Sequence, residues 1–105
     1  MNYMDDLKKE CPDAAEHLSA IPNHMHDAVA LWITRGIEPG SFLRAVICND
    51  FAGAVLRADK DNLIALRSWV LFFYDYAPSG CWRSPENFRK WEKQGGLLDM
   101  KEGAK

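Results

Sequence analysis

The chain has no Cys-x-x-Cys and no His-x-x-x-His, and its three cysteines, Cys11, Cys48 and Cys81, lie far apart. A structural ion wants about four ligands, so no metal and no cofactor is predicted. His24 and His26 stand two apart, and on a helix such residues point in different directions rather than onto one ion. An odd number of cysteines with no secretory leader ahead of them predicts reduced thiols and a cytoplasmic location. No apolar run approaches the roughly 20 residues of a bilayer span. The most aromatic, Trp69-Val70-Leu71-Phe72-Phe73-Tyr74, stops at Asp75, and no membrane contact is expected. Excess charge is missing too. Thirteen Lys and Arg face 15 Asp and Glu, a net charge of -2, which removes any global nucleic-acid footprint. Strand-like alternation, repeats and low-complexity tracts are absent, so β architectures and solenoids drop out.

What is there is helix. A chain of 105 residues that is 48% hydrophobic and 27% charged fits one folded domain with a modest core. Pro12, followed by Asp13 and Glu16, opens a short helix through about Ala20. From Pro22, residues Met25, Ala28, Val29, Trp32 and Ile33 form one apolar stripe that Gly36 terminates in a left-handed turn. Ser41 is placed to N-cap a helix carrying Phe42, Leu43, Val46 and Ile47. Asn49-Asp50 interrupts the pattern before Phe51, Val55 and Leu56, leaving open two helices or one kinked helix. Asp59 and Asp61 read as turn and cap, with Arg57 as local partner. The strongest helix follows. Leu63, Leu66, Val70, Phe73 and Ala77 form one stripe, and Trp69, Phe72 and Tyr76 form a second, so it is expected to be central or to lie at an oligomer interface. Ser84, Pro85 and Glu86 start a last helix with Phe88 and Trp91 inward and Gly95-Gly96 as its stop. The expected fold is all-α, a compact bundle of five or six short helices in one domain over residues 1–97. Residues 1–11 are expected to fray and 98–105 to form a flexible tail.

The stretch from Tyr76 to Pro85 concentrates the unusual residue types. Pro78, Gly80, Ser84 and Pro85 punctuate helices, while Trp82 beside Arg83 has no such explanation. The helix starts at Ser41 and Ser84, with Arg44 and Arg83 nearby, offer N–H groups to an anion. Were a phosphate ligand held there, Trp82 and Tyr76 stand ready to stack on its base. The competing reading makes both serines plain caps and both rings core. Cys81 precedes a helix, where a thiol is activated, but no histidine is close in sequence, and a buried structural role is the simpler expectation. The acids Asp50, Asp59, Asp61 and Asp75 include no obvious acid/base pair, so no catalytic residue is assigned.

Pro39-Gly40-Ser41-Phe42-Leu43, Asn49-Asp50, Arg57-Ala58-Asp59 and Ala77-Pro78-Ser79-Gly80-Cys81-Trp82 with Ser84-Pro85 together resemble a family of small uncharacterised proteins of tailed phages and prophages. The likeness spans about residues 21–97. It implies a phage context inside a host cell and no particular chemistry, because the family has no established activity. Where relatives often carry glycine after the tryptophan, this chain has Arg83, which alters the charge of the site.

These observations point to a small non-enzymatic binding protein that modulates a host process as inhibitor, adaptor or counter-defence factor. Its contact residues would be Trp82, Arg83, Tyr76, Ser79, Ser84, Arg44 and Ser41, and its partner a host or phage protein, the usual match for exposed aromatics with arginine. Self-association is expected through Trp69, Phe72 and Tyr76. The alternatives are sequestration of an anionic nucleotide, or nucleic-acid binding by the last helix through Arg83, Arg89, Lys90 and Lys93, against which Glu86 and Glu92 count.

Overall fold

The apolar stripe from Val29 to Ile33 organises the molecule. In the computed structural model, which describes residues 3–98, it lies in α3 (His26–Arg35), with Val29, Ala30, Trp32 and Ile33 wholly buried. Gly36 ends α3 at φ 66, and the Ile37 N–H reaches back to the Leu31 carbonyl, a left-handed stop of the expected kind. Before it come α1 (Tyr3–Glu10) and α2 (Pro12–Glu16). The frayed start expected over 1–11 is corrected at α1, where Leu7 is fully buried and Asp6 accepts a hydrogen bond from Arg35 at 2.5 Å. Single-turn 3-10 segments over Leu18–Ala20 and Asn23–Met25 carry the chain into α3.

Beyond Gly36, α4 (Ser41–Ile47) packs against α5 (Phe51–Arg57), and the two are separate helices. Asn49, in the left-handed region at φ 62, turns the chain between them, and the Asp50 carboxylate accepts the Gly53 N–H at 3.0 Å to start α5. The single helix expected to carry the stripe from Leu63 to Ala77 also divides. It becomes α6 (Lys60–Ile64) and α7 (Leu66–Tyr76), with Ala65 between them outside helical geometry. A 3-10 turn over Ser79–Cys81 leads to α8 (Pro85–Gln94), capped by the Ser84 hydroxyl accepting from the Asn87 N–H. No strand occurs among the described residues, and the architecture is an all-α bundle. The tail expected from 98 onward lies, after Leu98, outside the described residues.

Tryptophan knits the bundle together. Trp91 on α8 donates its indole N–H to the Trp32 carbonyl at the end of α3, Trp32 donates to the Cys81 carbonyl, and Trp69 donates to Asn62 Oδ1. Trp32 and Phe88 stack at 4.6 Å, and Phe42, Phe73 and Trp69 form a second cluster. The ends of α3 and α8 cross closely. A Cβ added to Gly36 would lie 2.9 Å from the Gly96 nitrogen, and one on Gly96 would lie 2.5 Å from the Arg35 nitrogen.

Candidate functional site

α7 decides which surface remains free. Trp69, Phe72 and Phe73 face inward with at most 1% exposure, while Val70, Leu71 and Tyr74 face out. The Trp69, Phe72 and Tyr76 face expected to mediate self-association is thus corrected. Phe42 and Phe73 cover Trp69, and His17 lies flat on Tyr76 at 3.6 Å, so the chain has spent that face on its own core. Seven of the eight large apolar side chains exposed among the described residues fall between Phe51 and Tyr74.

The Tyr76 to Pro85 connection bends back onto this region. The Arg83 N–H donates to the Ile47 carbonyl at 2.8 Å, tying the loop to the end of α4, and Asn87 Nδ2 holds the Trp82 carbonyl at 2.8 Å. Trp82 is not an exposed contact residue, as the reading of it as target contact supposed. It is 6% exposed, with its ring 5.7 Å from Phe73 and edge-on to Tyr74 at 6.4 Å. Arg83 is the exposed member of the pair. Its guanidinium stands 5.5 Å from the Tyr74 ring and 5.3 Å from the Trp82 ring, within cation–π range of both. Its backbone sits at φ 96, a region that glycine occupies readily and side chains rarely adopt.

Trp82 also walls a cavity of about 60 Å³, together with Val46, Phe51, Ala54, Leu66 and Val70. Its indole N–H is buried with no hydrogen-bond partner among the described residues. Buried indoles usually find an acceptor, as the other three do here.

The remaining candidates are dispersed. Ser41 does not cap: Gly40 is the N-cap, Ser41 opens α4, and its hydroxyl makes no cap hydrogen bond. Ser41 and Arg44 line a separate groove of about 320 Å³ with Cys48, Asp50 and Arg57. There Arg44 binds Glu38 at 2.6 Å and lies over Phe88, so its guanidinium and that of Arg83 serve different partners. Arg57 does not pair with Asp59 or Asp61. It donates to the Gly53 carbonyl, and Asp59 instead binds His24 at 2.9 Å while capping α6 through the Asn62 N–H, contacts that hold its carboxyl below the usual range. Ser79 is exposed in its turn, and Ser84 is engaged as a cap. Tyr76 stacks on His17 and Trp82 leans against Phe73, so the two rings do not flank one space, which removes the paired platform expected for a nucleotide base. On α8, Lys90 is paired with Glu86 at 3.1 Å, reducing the charge that face offers to phosphates.

Cys81 has no accessible sulfur. Burial pushes its thiol far above the ordinary value of 9.0, and Cys11 adds to the shift. Among the described residues, no three His, Cys, Asp or Glu side chains gather where they could hold a metal ion, and no helix is long and apolar enough to cross a membrane.

The sequence pattern singled out Trp82 and Arg83 as contacts, whereas it placed Leu66 and Val70 in an apolar stripe and Phe51 on a short helix without naming them, or Tyr74, as site residues. The available signal was α7's apolar circumference, which exceeds what one buried side needs. Comparison with family models, curated proteins and solved structures finds no match for this chain.

Proposed function

We propose that this chain is a small, non-catalytic, phage-type protein that modulates a host process by binding another protein. Its working surface is the outer face of α5 and α7, closed at one end by Arg83. The observation that supports this most is Arg83 itself. A side chain at positive φ costs about 1–3 kcal/mol unless its surroundings compensate, and such strain gathers where a side chain is used. Arg83 carries that strain at φ 96 and presents its guanidinium over Tyr74 and Trp82, and Trp82 in turn walls the cavity that exposed Val70 and Phe51 line. Arginine, tyrosine and tryptophan around an apolar patch are the composition from which binding hot spots are built. Apolar patches of this kind on small proteins commonly mark contact sites.

The test is capture from a phage-infected host lysate. The tagged wild-type chain is expected to retain a specific protein that Val70→Lys loses and that Lys8→Glu, on α1, keeps. Equal retention by Val70→Lys contradicts the assignment of this face. Trp82→Ala does not serve as the control, because its ring belongs to the core.

A further inference from the structure

Resting on that reading, we propose that the cavity beside Trp82 receives a short aliphatic side chain of the partner protein, and that an acidic group next to that side chain is held by Trp82 Nε1 and Arg83. Three features of one small region converge on this chemistry. The cavity measures about 60 Å³ and has a mainly aliphatic wall, in which Val46, Ala54, Leu66 and Val70 take part. That is room for a few methyl or methylene groups, well short of the roughly 150 Å³ that admits a benzene ring.

The second feature is the unanswered indole donor. An N–H buried without an acceptor costs about 1–3 kcal/mol, and here the unpaired group belongs to the residue that forms the cavity wall. The N–H has almost no exposed surface, so an incoming oxygen removes that penalty by a small shift of the indole edge toward the cavity. The third is charge. Arg35 and Arg44 bind Asp6 and Glu38, whereas among the described residues no carboxylate stands within ion-pair distance of Arg83. Its guanidinium lies over the same Trp82 ring and offers planar, paired N–H groups suited to a carboxylate. Asp50 also lines the cavity, with its carboxylate engaged by the Gly53 N–H, so an acidic ligand is directed to the Arg83 side. An apolar tooth with an adjoining acid thus satisfies the cavity, the orphan donor and the free cation together. A basic or purely apolar segment leaves at least two of the three unanswered.

The probe is 4-methylpentanoate, with 4-methylpentylamine as its cationic counterpart, followed through the indole N–H resonances of the 15N-labelled full chain. The carboxylate is expected to move the Trp82 indole signal downfield and saturably while the other three indoles stay in place. The amine is expected to leave it unmoved. Arg83→Gln, with a helical signal matching wild type, is expected to weaken the carboxylate by about threefold or more, the upper range for an exposed charge pair. An equal response to the amine, or no Trp82 response to the carboxylate, overturns the proposal. So does a concentration-dependent shift of that signal without probe, which assigns the site to a second copy of the chain. Loss of the captured protein in Val70→Lys, together with a silent Trp82 indole, overturns only the acid-and-aliphatic chemistry. A binding carboxylate with undiminished capture by Val70→Lys overturns the docking surface itself.

Discussion

At Arg83 two local effects oppose each other: backbone strain at φ 96 and attraction of the guanidinium to two rings. Arg83→Gly removes both, whereas Arg83→Ala keeps the strain and loses the rings. The glycine variant is therefore expected to be more stable than the alanine variant by about 1 kcal/mol in urea unfolding, even after allowing for glycine's greater chain entropy. An alanine variant equal to or better than glycine means that the backbone there is unstrained. Trp82→Ala acts on a different quantity. Removing a ring buried to 6% exposure is expected to cost about 3–5 kcal/mol, visible as a large fall in the urea midpoint. Cys81 is expected to resist iodoacetamide in the folded chain and to react once the chain is unfolded; labelling of the native protein at this position contradicts its burial. Because burial raises its thiol, its stabilising contribution is complete below pH 9.0 and is withdrawn as pH climbs from there toward the higher folded value. The sequence pointed to the Trp82-Arg83 pair because punctuation left it unexplained. It did not reveal which of the two side chains faces water, since that depends on Phe73 and Tyr74 closing over the indole.

At the scale of elements, the chain's turn chemistry was legible and its contacts between elements were not. Gly36, Asp50, Asp59 and Ser84 announce helix ends through rules acting over three or four residues. Nothing local shows that Gly36 and Gly96 meet, because that crossing forms only when α8 docks on α3. Gly36→Ala is expected to destabilise the protein by about 2–4 kcal/mol, combining left-handed strain with overpacking against backbone. Gly40→Ala, where an added Cβ meets nothing within 4 Å and only the N-cap preference of α4 is disturbed, serves as the milder comparison in thermal unfolding. α7 teaches a related lesson. Periodicity marked two apolar stripes, but only packing against Phe42 and His17 determined that the Trp69 and Tyr76 stripe is covered. The Asp59 cap gives this level its pH dependence. Its carboxyl is held below the ordinary 3.8 first by the Asn62 N–H and then by His24, so the stabilisation is present above that value and is lost as pH falls through the depressed one. Asp59→Asn is expected to flatten the acid limb of the stability curve, and an unchanged limb contradicts the cap's role.

At the scale of the molecule, the all-α class followed from helical periodicity and the absence of strand alternation, whereas the apolar circumference of α7 signalled a free face and only the fold decided which side it is. A chain with 48% hydrophobic residues must place some of them outside, yet these gather on α5, α6 and α7 rather than scattering. The proposed docking face rests on the part of that set, Phe51 and Val70, that shares a cavity with Trp82, and on Arg83 over the Trp82 ring. The captured complex can report on it directly through amide hydrogen exchange of the full chain, free and bound. Binding is expected to slow exchange along Phe51–Arg57 and Leu66–Tyr76 and at the Arg83 amide, and to leave Tyr3–Glu10 and Pro12–Glu16 unchanged. Protection confined to those first two helices, with α5 and α7 exchanging as in the free chain, contradicts the proposal that this face is the working surface.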